Sequence, residues 1–220
     1  VTAAIDIANS DGVDALSMRN VAERLGVGTM SLYTHVPGKT ELIDLMFDTA
    51  FGQVYASVDD PSRQPGDWRD ALRFIAQRNW ELYRRYPWML QIANDRLIFG
   101  PNVTLKYEAE LRPLDQLGLS DLEMDAALTL ILTHTEGCAR AQAALERSQR
   151  DLGMTDAEWW VTHAPLMHKI MDSSHFPVAS RVGTSTGEAY QAASNPEYVF
   201  TFGLERILAG IESLIALRGE

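Results

Sequence analysis

The run SMRNVAERLGVGTMSLYTHVPGKT, Ser17 to Thr40, gathers short hydroxyls, an amide, an imidazole, a phenol and three cations. Such groups hydrogen-bond to phosphate oxygens and to the edges of bases. They do not supply the nucleophile with its base, the paired carboxylates or the metal cluster that catalysis requires. The remaining sequence supplies none of these either. It has no Glu-x-x-His and no glycine-rich phosphate loop. The single cysteine, Cys138, lies in an apolar stretch and reads as structural. His163, His168 and His175 are five and seven apart, not the i, i+4 placement that pairs two imidazoles on a helix. The chemistry on offer is therefore recognition, with no cofactor and no enzyme activity expected.

Two short helices and a tight turn would position these groups. Ser17 can cap the first helix, its hydroxyl accepting from a free backbone N–H one turn on. Val21, Ala22 and Leu25 have the spacing of a buried stripe. Gly26 can take the left-handed conformation a sharp turn needs. Thr29 to Val36 forms the second helix, and Pro37-Gly38 stops it. Ala22 is small enough for the helices to cross closely, while Val27 and Leu32 pin the second to the first. A helix held in this way can lie in a DNA major groove. It would present Thr29, Met30, Ser31, Tyr33, Thr34 and His35, with Ser17 a further candidate contact.

The string RNVAERLGVGTMSLYTHVPGKTELID resembles the helix-turn-helix of the TetR family of bacterial regulators. Its Leu-Tyr-x-His-Val run is similar to the tetracycline-repressor branch. The resemblance implies that Arg19 reaches a guanine edge or a phosphate. It implies that Thr29, Met30 and Ser31 face bases, that Tyr33 and His35 meet phosphates, and that Lys39 meets the backbone. Thr34 stands where the tetracycline repressor has an aromatic residue, and Thr29 where it has a longer amide. Those departures bear on operator sequence rather than on binding mode. The motif match covers roughly residues 2–50.

Net charge qualifies this expectation. The 220 residues carry a formal charge of −11, which argues against coating DNA by charge alone. Ser17 to Thr40 is nevertheless net +2, from Arg19, Arg24 and Lys39 against Glu23. A basic arm preceding Val1 would add to that tip. The 46% hydrophobic and 22% charged composition suits a protein that buries a core. No apolar run approaches the ~18 residues of a membrane span, and no secretory signal opens the sequence. One cysteine fits a reducing cytoplasm.

The rest of the chain reads as all-α. Residues 2–10 form a helix stopped at Asp11-Gly12, and a fourth helix runs from about Lys39 into the 50s. The proline-rich turn DDPSRQPG, residues 59–66, is a joint. We expect a helix-turn-helix DNA-binding domain over 1–50 and a larger ligand-binding and dimerisation domain over 51–220. In the latter, helices are expected over 67–86, 88–99 and 102–117, with Pro113 shortening the last. Ser120 with Glu123 and Thr155 with Glu158 read as capping boxes for helices to about 150 and 171. Residues 172–189 read as a mobile loop, from their Ser, Thr and Gly content. Pro196 opens a final helix to about 218.

Aromatic residues crowd the middle helices: Trp68, Phe74, Trp80, Tyr83, Tyr86 and Trp88, then Phe99 and Tyr107. Such surface suits a flat, mostly apolar small molecule. Asn79, Trp80, Tyr83, Trp88, Gln91, Tyr107, His134 and Thr135 are the candidate ligand contacts. Gly137, Ala141 and Ala144 on one helix, and Gly203, Ile207, Gly210 and Leu214 on the last, could let a second copy approach closely. The expected function is a ligand-responsive repressor, binding a palindromic double-stranded DNA operator as a homodimer and released by a small-molecule effector. The alternative is a protein-interaction module, or a small-molecule-binding enzyme with a vestigial helix-turn-helix.

Overall fold

The computed structural model describes residues 1–92, 98–171 and 173–218, with the backbone alone at 168. Among these residues there are ten α-helices and no strand. They are α1 (Thr2–Ser10), α2 (Met18–Leu25), α3 (Thr29–Tyr33), α4 (Lys39–Phe51), α5 (Trp68–Arg85), α6 (Pro101–Leu111), α7 (Asp121–Leu152), α8 (Asp156–Ile170), α9 (Pro177–Tyr190) and α10 (Pro196–Arg218). The chain forms two compact units. One holds residues 1–136 and 204–220; the other holds 137–203.

In the first unit, α1 packs on α2 and α4, and α2 on α3. Ser17 Oγ accepts from the backbone N–H of Asn20 at 3.1 Å, opening α2. Gly26 closes it at φ 69°. Asp67 and Asp70 cap α5 reciprocally, and Pro87 ends it in a 3₁₀ turn over Pro87–Leu90. That turn takes the place of the start of the helix expected over 88–99; residues 93–97 of that expectation lie outside the described residues. α6 stops at Leu111, two residues before Pro113. The core joins Leu16, Leu42 and Met46 to Leu72, Ile75, Trp88, Leu114, Leu128, Ile131 and Leu208. The Phe47 and Trp88 rings meet edge-on at 5.1 Å, so α4 sits directly against the turn that follows α5.

Two anchors differ from the sequence-based expectation. Leu25 and Val27 are exposed, not buried. The buried residues of α2 are Met18, Val21 and Ala22, and Leu25 lies in the last turn beyond them. α3 is a short helix with no fully buried residue. It is held by half-buried Leu32 and by Val36 just after it.

In the second unit, Thr155 and Glu158 form the expected capping box. The expectation of a loop over 172–189 is corrected: Pro177–Tyr190 is α9, opened by proline and closed by Gln191 in the left-handed region. Small residues that read as loop allow α9 to lie tightly on α8. A Cβ at Gly187 would overlap the Trp160 indole at Cζ2, and one at Gly183 would sit 3.0 Å from Met171 Cε. Gly187→Ala should therefore destabilise this unit. The clash with a rigid indole, about 1–3 kcal/mol for overpacking, outweighs the roughly 1 kcal/mol that alanine contributes to helix propensity. A lowered midpoint in chemical denaturation is the expected reading.

Candidate nucleic-acid interface and effector site

At the tip of the first unit, the α2–α3 surface presents its polar groups outward. Arg19, Met30, Ser31, Tyr33, Thr34, His35 and Lys39 are exposed, and Thr29 is half-buried. Met30 is 77% exposed at the start of α3. Ser17 is half-buried, its oxygen engaged as the cap. The Thr34 hydroxyl donates to the Ser31 carbonyl at 2.6 Å, which leaves only its lone pairs for an outside partner. Both arginines of this tip are ion-paired: Arg19 Nε with Glu23 at 2.9 Å, and Arg24 with Asp11 at 3.0 Å.

Behind the tip, α4 grips the start of α6. Asp48 Oδ1 accepts from the backbone N–H groups of Asn102 and Val103, each at 3.0 Å. Its Oδ2 accepts from Asn102 Nδ2 at 2.9 Å. The carboxylate thus caps a helix to which it does not belong, satisfying amides that α6 leaves free and meeting the positive end of its dipole. Glycines make the approach possible. A Cβ at Gly100 would overlap Asp48 Oδ1, and one at Gly52 would lie 2.8 Å from Asn102 Cγ.

Further along α6 lies a buried polar network. Glu110, 1% exposed, accepts from Lys106 Nζ at 2.7 Å, from Asn79 Nδ2 at 2.7 Å and from the Tyr55 hydroxyl at 2.8 Å. Burial first, and then the Glu110 charge, push ionisation of the Tyr55 phenol far up, so it remains a donor. Two buried atoms here lack a partner among the described residues: Asn79 Oδ1 and Trp88 Nε1. An unmet acceptor and donor inside an apolar region are costly unless something else binds them.

The structure distributes the candidate ligand residues unevenly. Asn79 joins the Glu110 network, and Trp80 and Trp88 are buried. Tyr83 and His134 are half-buried. Thr135 is fully buried, its hydroxyl donating to the Ile131 carbonyl at 2.8 Å. Gln91 and Tyr107 are on the surface, Tyr107 donating to Asp125 at 2.7 Å. Sequence reasoning misses Tyr55, Lys106 and Glu110. The i, i+4 spacing of Lys106 and Glu110 is the available signal, but such a pair normally reads as a solvated helix face.

Also in the first unit, α7 and α10 flank an open apolar groove of about 470 Å³. Ala126, Ala127 and Leu130 line one side, and Ile207, Gly210 and Leu214 the other. In the second unit, Gly137, Ala141 and Ala144 are exposed on α7, and Gly203 is half-buried. That unit has its own cavity of about 210 Å³, beside Leu145, Leu152, Met154 and Trp159. His163 in the same unit stacks on Trp159 at 4.2 Å.

Comparison with known proteins agrees with this geometry. Residues 1–46 match the family model described as bacterial regulatory proteins, tetR family. Residues 60–215 match the tetracyclin repressor-like C-terminal domain. The chain is 40% identical to the transcriptional repressor DrrR1 of Streptomyces coeruleorubidus, over 99% of this chain and 77% of that one. It is 30% identical to the class A tetracycline repressor of transposon 1721 from Escherichia coli, over 76% and 73% of the two chains. Among solved structures, ActR of Streptomyces coelicolor in complex with actinorhodin is similar, with a TM-score of 0.74 and 27% identity, covering 96% of this chain and 92% of that one. These relatives are regulators, not enzymes, and the alternative of a vestigial helix-turn-helix is not favoured. A capped helix pair with its polar groups outward, on an all-helical body matched by both domain models, has one reading: the chain belongs to the TetR family of transcriptional regulators.

Proposed function

We propose that the chain is a repressor that binds a palindromic operator as a homodimer and leaves it when a small, largely apolar or aromatic molecule binds. The observation that carries this is the Asp48 clamp. It ties the helix behind the reading tip to the helix that bears the Glu110 network. A molecule that displaced α6 would act on α4 through a charged cap. Such a molecule releases DNA only if it binds the low-affinity conformation better than the DNA-bound one.

Several features support the parts. Arg19, Thr29, Met30, Ser31, Tyr33, Thr34, His35 and Lys39, with Ser17, form the proposed DNA contacts of a domain over 1–50. Asn79, with its unmet acceptor, is the proposed polar handle for the effector, among Trp80, Tyr83, Trp88, His134 and Thr135 in the domain over 51–220. Gln91 and Tyr107 would join only by rearrangement, since both are exposed. Likeness to ActR, solved with actinorhodin, supports a small-molecule effector. The α7–α10 groove suits a helix of a second copy, with Ile207, Gly210 and Leu214 on its wall. Exposed Gly137, Ala141 and Ala144 suit close helix approach on their own account, with Gly203 as a further candidate. A two-fold dimer doubles the base contacts and makes the operator a palindrome. No helix among the described residues is long and apolar enough to cross a membrane, and a cytoplasmic site of action is part of the proposal.

Gel-shift binding to the DNA flanking its own gene tests this. Sequence-specific binding at modest salt is expected; its absence overturns the proposal. Arg19→Ala should cost about 1–3 kcal/mol if it reads a base. Tyr33→Ala and Lys39→Ala should weaken all sequences alike, and the salt slope should fall by about one for each phosphate the variant no longer meets. Fold and dimer should survive all three substitutions, because these side chains are exposed.

A further inference from the structure

Arg19 and Glu23 lie one turn apart on the outer surface of α2, their side chains 80% and 61% exposed. An ion pair this wet contributes little to folding, at most about 1 kcal/mol. Its geometry is nevertheless specific. Glu23 Oε1 accepts from Arg19 Nε at 2.9 Å, and among the described residues neither terminal amine of Arg19 has a hydrogen-bond partner. A guanidinium can meet a planar pair of acceptors side-on, through Nε and one terminal amine, or end-on, through both terminal amines. With Nε engaged by Glu23, only the end-on mode remains.

Charge sharpens the choice of target. A phosphate approaching Arg19 would also approach the Glu23 carboxylate, well inside the roughly 8–10 Å over which salt leaves such repulsion effective. The O6 and N7 acceptors of a guanine are uncharged and incur less of that penalty. Arg24 is neutralised in the same way by Asp11. The tip thus has little unpaired charge with which to hold DNA of arbitrary sequence, in keeping with the −11 charge of the whole chain.

We infer that Glu23 is a positioning residue for base readout: it holds Arg19 by Nε so that both terminal amines meet a guanine, and its charge keeps Arg19 off the phosphates. This rests on the proposed DNA-binding reading, and the test separates the two.

The full-length chain is measured against two duplexes of equal length at physiological ionic strength. One is enriched by the wild-type chain from a randomised pool; the other is of random sequence. Each guanine of the enriched half-site is replaced in turn by 7-deazaguanine, which lacks the N7 acceptor. For the wild-type chain, one replacement should weaken binding about tenfold, and Arg19→Ala should be insensitive to that replacement. Glu23→Ala should lose most of the penalty while binding the random duplex more tightly. Glu23→Gln keeps an oxygen that accepts from Nε, so it should retain the penalty yet also bind random DNA more tightly. That rescue distinguishes orientation from charge, and circular dichroism would verify that every variant is folded. If Glu23→Ala keeps the wild-type penalty while Arg19→Ala lacks it, Glu23 does not position Arg19. If Arg19→Ala keeps the penalty, the base-reading role of Arg19 itself fails.

Discussion

Glu110→Ala should destabilise the first unit by roughly 3–5 kcal/mol, the cost of removing one partner from a buried ion pair. Three donors converge on this carboxylate, from Lys106, Asn79 and Tyr55. Alanine would leave the ammonium of Lys106, a residue only 8% exposed, without its counter-charge, the Tyr55 hydroxyl without this acceptor, and the Asn79 amide nitrogen with the Ile75 carbonyl alone. Glu110→Gln keeps an acceptor for Asn79 and Tyr55 but not the charge facing Lys106, so a smaller loss is expected. The double change Lys106→Met with Glu110→Leu removes both charges together and should recover much of the stability, because apolar replacements of a buried pair are often neutral or stabilising. Urea denaturation of the four proteins reads the series. Equal losses for Glu110→Ala and the double variant would show that packing, not the uncompensated charge, sets the cost.

The network is also where sequence reasoning stops. Helix order is legible because its punctuation is local: Ser17 with Gly26, Ser120 with Glu123, Thr155 with Glu158, and proline at the breaks all act within a turn of the helix they delimit. The residues proposed to meet DNA are legible for a related reason, since outward side chains on a short helix follow from its register. Tyr55, Lys106 and Glu110 acquire their meaning from partners that tertiary folding brings together, and a Lys–Glu pair one turn apart looks the same in a sequence whether wet or dry. α9 reads wrongly as a loop because glycine and serine are as useful to a tightly packed helix as to a turn; only Trp160 beneath Gly187 distinguishes the two. Leu25 and Val27 mislead in the opposite sense, as the apolar period continues one turn beyond the surface available to cover it.

Asp48 gives the second large effect, on coupling rather than on stability. Its carboxylate accepts two backbone N–H groups and a side-chain amide across the α4–α6 seam. Hydrogen bonds to a charged group contribute about 1.5–3 kcal/mol each, while the coupling between two sites in a switch is typically about 1–3 kcal/mol. The clamp is therefore large enough to carry the whole signal. With Asp48→Ala, an effector found by thermal-shift screening should still bind, but its effect on operator affinity should fall toward none. Linkage requires the reverse measurement to agree: operator should cease to change effector affinity by the same factor. Gly100→Ala provides an independent route to the same state. Its new methyl would overlap Asp48 Oδ1 and expel the carboxylate while leaving that residue in place. Two substitutions on opposite sides of one seam should thus give one phenotype, uncoupled but folded. If either variant keeps the wild-type ratio of operator affinities with and without effector, the seam is a packing contact and the signal travels elsewhere.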